Sequence, residues 1–100
     1  MNEYILLMLN DATDKLAADD GAHWGEYIAG LRQSGQFDGG SSIGMGERFR
    51  KGQSPQPANP ELTGFIRVRA ENLEDAKRFL VGNPNYEAGG TVEIRELPRE

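Results

Sequence analysis

The sequence predicts an α+β fold whose elements follow the order βαββαβ. Three observations predict it: a short apolar strand pattern lies near each end of the chain, two stretches have helical periodicity, and a glycine-rich strand follows the first of them. This order is the split βαβ, or ferredoxin-like, arrangement, in which two helices cover one face of a four-stranded antiparallel sheet. The length of 100 residues suits a single domain, which we place over residues 1–100.

The first predicted strand, Tyr4–Leu9, is apolar on both faces. Side chains alternate across a strand, so Ile5 and Leu7 lie on one face and Leu6 and Met8 on the other. Such a strand is normally buried on both sides. Because the two helices cover only one face, we expect the other face to meet the sheet of a second copy and form a homodimer. Alternation alone does not decide whether Leu6 or Leu7 faces that partner.

The first helix is predicted over Asp20–Ser34. Asp19 or Asp20 can cap its amino terminus, and Gly35 suits the left-handed residue that ends a helix. Apolar side chains recur at helical spacing along it and form a core stripe. They are Trp24, Tyr27, Ile28 and Leu31.

The second strand, predicted over Phe37–Met45, is rich in glycine. Glycine inside a strand often marks the close approach of another backbone or of a ligand. We therefore expect a shallow cavity between this strand and the first helix. Residues 50–61 contain three prolines and no hydrophobic periodicity, which indicates an extended, mobile connection. It is either a lid or a long hairpin loop, and the loop is the commoner case.

The remaining elements complete the pattern. A strand is predicted over Thr63–Arg69, a helix over Leu73–Val81 and a closing strand over Thr91–Leu97. Asn72 is a good N-cap for the second helix, and Pro84 is expected to end it.

Composition excludes several classes of function. The net charge is −5 and the basic residues are scattered, apart from the stretch Glu47–Lys51, so nucleic acid is not an expected partner. The chain has no cysteine and one histidine, so we expect no disulfide, no cysteine nucleophile and no metal site. The apolar run Tyr4–Leu9 is too short for a targeting or membrane-spanning segment. The sequence therefore predicts a soluble, cytoplasmic protein without membrane association.

The single histidine, His23, lies near the start of the first helix. Imidazole titrates close to neutral pH, so His23 is a candidate general base. Asp38, at the start of the glycine-rich strand, is the candidate carboxylate that orients it. Each residue also has a simpler interpretation. His23 is then a partly exposed residue of the first helical turn, and Asp38 belongs to an Asp-Gly turn.

Three stretches carry a resemblance to a known family: EYILLML, AHWGEYIAGLRQSGQFDGGSSIG and GFIRVRAENLEDAKRFLVGNPNYEAGGTVEIREL. They cover nearly the whole chain, and the last is the most specific. The chain resembles the YciI-like (YCII-related) proteins, a branch of the dimeric α+β barrel superfamily. The resemblance implies a ferredoxin-like protomer, a homodimer and an active-site pair of histidine and aspartate. Some relatives are associated with dehalogenation of hydroxylated aromatic compounds.

His23 matches the histidine position of that family well, and Asp38 is carried over as its partner. Where many relatives have Asp-Pro after the second helix, this chain has Asn83-Pro84, so a neutral amide replaces an ionisable carboxylate. The DGPF tetrapeptide of a related subgroup is absent, and the proline-rich connection stands in its place.

Two function classes follow from these residues together with the resemblance, which is the source of the substrate class named below. The first is a cofactor-independent enzyme of the lyase or isomerase type that acts on a small aromatic or quinone-like compound. His23 transfers the proton and Asp38 orients it. The side chains expected to line the substrate pocket are Tyr27, Ser41, Ser42, Asn83 and Tyr86. The alternative is a non-catalytic dimeric module that binds a small ligand or a partner protein, and His23→Ala separates the two.

Overall fold

The computed structural model describes residues 1–99, and it confirms the predicted fold class. The strands are β1 (Asn2–Leu9), β2 (Phe37–Ser42), β3 (Glu47–Arg48), β4 (Gln56–Pro57), β5 (Leu62–Ala70) and β6 (Val92–Leu97). The helices are α1 (Lys15–Ala18), α2 (Gly21–Ser34), α3 (Leu73–Ala76) and α4 (Pro84–Glu87), with a 3-10 helix over Lys77–Leu80. β2, β5, β1 and β6 form an antiparallel sheet in that order, and β3 and β4 pair separately.

The helices cover the face of β1 that carries Leu6. Leu6 is fully buried, and Ile66 and Val68 of the neighbouring β5 lie beside it with exposures of 2% and 0%. Burying a side chain of this size contributes about 1.5–3 kcal/mol. The other side of the sheet, which carries Ile5 and Leu7, is only partly covered within one chain. We call it the open face. The structure therefore places Leu7, not Leu6, on the side that a partner can reach.

The ends of α2 are those that the sequence predicts. The Asp20 carboxylate accepts hydrogen bonds from the first amides of the helix, and Gly35 ends it in the left-handed conformation at φ 73°. The predicted core stripe is confirmed. Tyr27 and Leu31 are buried, while Trp24 and Ile28 pack against the core from its edge.

The second helical segment differs from the prediction. Asn72 caps it as expected, but the segment predicted over Leu73–Val81 is one turn of α3 followed by the 3-10 helix, and Val81 is already extended. Pro84 does not end this segment; it is the first residue of α4. Proline suits this position because the amide it lacks would have no partner inside the helix.

The glycine-rich strand ends at Ser42, three residues earlier than predicted. The amide of Ile43 still donates to Thr63 O at 2.9 Å, and beyond it the chain leaves the sheet. Residues 44–60, which we call the arm, form a hairpin in which β3 pairs with β4. The proline-rich connection is thus part of a long hairpin, the second of the two predicted alternatives.

The arm projects from the rest of the molecule. The radius of gyration over Cα atoms is 14.8 Å, whereas a compact chain of this length has about 13 Å. On the arm, Met45 and Phe49 have exposures of 105% and 74%. Two large apolar side chains are therefore left in solvent.

Among residues 1–99, every helix is too short or too polar to cross a membrane.

Candidate functional site

Two concave surfaces lie on opposite sides of α2. The first, which we call the helix groove, lies between α2 and residues 78–89, has a volume of about 960 Å³ and is lined by His23, Tyr27 and Leu31 of α2. The second, which we call the sheet cavity, lies between α2 and the strands β2 and β5 and has a volume of about 380 Å³. Trp24 and Ile28 line it from the helix. Residues four apart share a helix face, so each surface receives its own stripe of α2.

The sheet cavity has apolar walls. Met8 and Ile66 line it from the sheet, opposite Trp24 and Ile28. The indole Nε1 of Trp24 donates to Ala18 O at 2.6 Å, which holds the ring in place. The predicted cavity between the glycine-rich strand and the first helix is thereby confirmed.

Two glycines leave room for this cavity. A Cβ on Gly40 would overlap the backbone oxygen of Phe65, and a Cβ on Gly64 would lie 3.1 Å from the Met8 methyl carbon. The close approach expected from glycine is therefore that of a neighbouring backbone. Because these positions have no side chains, the space between α2 and the sheet stays open.

Asn85 is the buried polar group of the sheet cavity, with an exposure of 6%. Its Nδ2 donates to Leu9 O at 3.2 Å and to Thr91 O at 3.1 Å. Carbonyl oxygens only accept, so this pair of contacts fixes which end of the amide is nitrogen. Within residues 1–99, no group donates a hydrogen bond to the Asn85 Oδ1. Gly90 permits this packing, since a Cβ there would lie 2.6 Å from the Nδ2.

The predicted pocket residues Ser41 and Ser42 both line the sheet cavity. Ser42 lies opposite Gly64 on the helix side of the sheet, while Ser41 lies opposite Phe65 on the open face. The Ser41 hydroxyl donates to Ser42 O at 2.8 Å. Of the two hydroxyls, that of Ser42 is therefore on the cavity side.

His23 lies in the helix groove, away from both serines. The carboxylate beside it is Asp20, whose Oδ2 is 3.8 Å from the imidazole Nδ1. The backbone N–H of His23 donates to Asp20, and this bond is the main cause that lowers the pKa of the Asp20 carboxyl. His23 therefore lies beside a carboxylate, at a site open to water.

Asp38 does not pair with His23, contrary to the sequence-based expectation. Its carboxylate accepts from Arg69 Nε at 3.0 and 3.2 Å, on the open face of the sheet. Phe37 lies opposite Val68 on the helix side of the sheet, and side chains alternate along a strand, so the next residue, Asp38, is on the open face beside Arg69. The sheet therefore separates Asp38 from His23, and Asp38 lines neither concave surface.

Asn83 and Tyr27 form a buried polar group behind the helix groove. The Tyr27 hydroxyl donates to Phe79 O at 2.6 Å, and burial raises the pKa of the phenol, with the nearby Asn83 amide acting in the opposite direction. Asn83 is fully buried and its Oδ1 caps α4 by accepting from the Tyr86 amide. Within residues 1–99 its Nδ2 has no hydrogen-bond partner, although it lies close to the phenol. Asn83 thus has a structural role in this chain.

The predicted site residues therefore do not lie in one pocket. His23 and Tyr27 line the helix groove, Ser41 and Ser42 line the sheet cavity, and Tyr86 is half exposed and lines neither. Within the part of the chain that the structure describes, no group of three or more acidic or histidine side chains is placed to hold a metal ion.

Sequence reasoning missed Asn85 and the cavity role of Trp24. The helical spacing of Trp24 predicts that it belongs to the core stripe. Spacing alone does not distinguish a core side chain from one that lines a cavity. Asn85 lies two residues after Asn83, and the preference of asparagine for the N-cap position identifies Asn83, which precedes Pro84, but says nothing of Asn85. Only the packing of Asn85 against Gly90 shows that it faces inward.

The fold is similar to that of a solved enzyme. This is 5-chloro-2-hydroxyhydroquinone dehydrochlorinase (TftG) from Burkholderia phenoliruptrix AC1100, in complex with 2,5-dihydroxybenzoquinone. The two chains are 13% identical with a TM-score of 0.63, and the match covers 98% of this chain and 95% of that one. No family model matches the sequence, and no curated protein matches it. At this identity the likeness shows a shared fold alone.

Proposed function

We propose that this chain binds a small hydroxylated aromatic or quinone-like compound in the sheet cavity. The observation that carries the proposal is an apolar cavity of about 380 Å³ that is lined by a buried asparagine, Asn85, whose Oδ1 accepts no hydrogen bond from residues 1–99. Sites for small molecules have volumes of about 300–1,000 Å³, apolar walls and few polar groups. This cavity is at the lower end of that range, which favours a ligand with a single ring. The fold of TftG, seen with 2,5-dihydroxybenzoquinone, supports the same class of compound.

The polar groups define the ligand further. The Asn85 Oδ1 accepts hydrogen bonds only, so the ligand presents a donor such as a hydroxyl to it. The Ser42 hydroxyl, on the cavity side of β2, both donates and accepts. The Trp24 indole supplies a flat wall, and pairs of aromatic rings add about 0.5–1.5 kcal/mol beyond the area they bury.

Calorimetric titration with hydroquinone tests this proposal. We expect saturable binding to the wild type and binding at least about tenfold weaker, or about 1.4 kcal/mol, in Ser42→Leu, because the larger side chain fills the cavity. Ser54→Leu, the same substitution on the arm, and His23→Ala in the helix groove should leave the affinity unchanged. Absence of binding to the wild type would contradict the proposal. So would weakening in His23→Ala with none in Ser42→Leu.

A second candidate function is proton transfer by His23 in the helix groove. The observation that favours it is the distance of 3.8 Å between the His23 imidazole and the Asp20 carboxylate. One positioned acid or base accelerates a reaction by about 10²–10⁴-fold, which suffices for an already acidic phenol. Chloride release from 5-chloro-2-hydroxyhydroquinone that is lost in His23→Ala and kept in Ser42→Leu would favour this function over binding in the sheet cavity.

We also propose that the chain is a homodimer through the open face. Leu7 pairs with Phe65 across the strands and Ile5 lies beside them, all partly buried within one chain. Ion pairs surround this apolar centre, and they join Glu3 to Arg67, Asp38 to Arg69 and Glu93 to Arg95. An apolar centre with a charged rim is the usual composition of a protein interface.

A further inference from the structure

The arm combines exposed apolar and cationic side chains. Met45 is fully exposed and Phe49 largely so, and Arg48, Arg50 and Lys51 lie beside them in sequence. None of these cations forms an ion pair with a carboxylate of residues 1–99. Residues of the arm alone line the concave side of the hairpin, which has a volume of about 430 Å³. The arm thus presents a surface whose apolar and charged groups the chain itself does not satisfy.

The rest of the chain has the opposite charge. The arm has three cations and one carboxylate, a net charge of +2, so the remainder of this −5 chain has a net charge of −7. The acidic groups are densest over residues 11–26, with five carboxylates and one lysine. Asp19 and Glu26 of this stretch are exposed and form no ion pair within residues 1–99.

We propose that the arm docks on the acidic segment of a second copy of this chain, residues 11–26, where the exposed carboxylates of Asp19 and Glu26 form no ion pair within residues 1–99. Opposite charges across an interface speed association and select the partner, while Met45 and Phe49 supply the apolar area. A polyanion such as nucleic acid or an anionic membrane is disfavoured, because the body with its charge of −7 would be repelled from it. A second copy carries the complementary surface at equal concentration. The inference rests on the proposed homodimer and adds to the open face a second contact, between the arm and residues 11–26 of the partner.

Sedimentation equilibrium of matched variants tests the docking. We expect Met45→Ser with Phe49→Ser, and separately Arg48→Glu with Arg50→Glu, to raise the dimer dissociation constant at least about tenfold. These side chains are exposed and lie outside the core, so the fold should be unchanged by circular dichroism. Arg32→Glu with Lys77→Glu gives the same change in net charge as the arm reversal but lies outside the arm, so it controls for net charge. A dissociation constant that stays at the wild-type value in both arm variants would overturn the inference.

A charge-swap experiment identifies the docking surface. Asp19→Lys with Glu26→Lys should weaken the dimer as the arm reversal does. An equimolar mixture of the two charge-reversed chains should form a heterodimer close to wild-type affinity, because each arm then meets a surface of opposite charge. A mixture that stays monomeric would overturn the assignment of residues 11–26.

The outcomes separate this inference from the earlier proposals. If Leu7→Glu dissociates the dimer and the arm variants do not, the open face is the interface and the docking of the arm is wrong. A wild-type monomer that pellets with phosphatidylserine vesicles, and loses this in Arg48→Glu with Arg50→Glu, would assign the arm to a membrane and overturn the inference. Binding of hydroquinone in the sheet cavity is measured independently by calorimetry and does not depend on either result.

Discussion

We expect Leu7→Glu to convert the proposed homodimer into a folded monomer, and Leu6→Glu, one residue away, to unfold the chain. Leu6 is fully buried between the sheet and the helices. A carboxyl group placed there loses its hydration without gaining a partner, and the effective penalty is several kcal/mol. Domains of this size have a total stability of about 5–15 kcal/mol. Leu7 lies on the open face, where a glutamate stays hydrated in the monomer and is desolvated only in the dimer.

The two variants have the same side-chain change on adjacent residues, so each is the control for the other. Circular dichroism during heating reports folding, and sedimentation equilibrium reports the association state. We expect a cooperative transition and a monomer mass for Leu7→Glu, and no cooperative transition for Leu6→Glu. A Leu7→Glu variant that remains dimeric would exclude the open face as the interface.

Gly40→Ala should lower the free energy of unfolding by roughly 3 kcal/mol. The added Cβ overlaps the backbone oxygen of Phe65, which belongs to the hydrogen-bonded neighbour strand and cannot rotate away. Relief of the overlap requires that β2 separate from β5, which also deforms the floor of the sheet cavity. Gly25→Ala on α2 is the matched control, since its added Cβ has nothing within 4 Å. There alanine should stabilise the helix by about 0.5–1 kcal/mol.

Urea unfolding at equilibrium gives both values. Opposite signs for Gly40→Ala and Gly25→Ala are expected, with the Gly40 effect the larger. A Gly40→Ala variant whose free energy of unfolding equals that of the wild type would mean that β2 and β5 are not as close as the sheet cavity requires.

Periodicity in the sequence predicted the fold class, because β1, β5, β6 and the long helix have a clear pattern of apolar side chains and the glycine-rich β2 follows that helix. It did not identify the inner face of β1, since Leu6 and Leu7 are equally apolar and only the packed helices distinguish them. Periodicity also did not predict that α2 separates the candidate site residues into two concave surfaces. His23 and Trp24 are neighbours in sequence, but one residue is a rotation of about 100° around a helix. They therefore line different concave surfaces.

Asp38 and Asn85 show a second limit of sequence reasoning. An Asp-Gly pair indicates a turn, but in the structure Asp38 lies within β2 and pairs with Arg69 of a distant strand. The direction of the Asn85 side chain depends on the carbonyls of Leu9 and Thr91, which come from two other parts of the chain. Both outcomes are set by contacts between distant segments, which local patterns do not contain.

The NMR signal of the Trp24 indole N–H during addition of hydroquinone shows whether the ligand enters the sheet cavity. The chain has one tryptophan, so this signal is unique, and Trp24 lines the sheet cavity. If hydroquinone binds in the sheet cavity, we expect the signals of the Trp24 indole and the Gly64 amide to shift together and saturate. The amide signals of Gly82 and Gly89 in the helix groove should stay unchanged. Shifts confined to Gly82 and Gly89, or no shift of any of these four signals, would contradict binding in the sheet cavity.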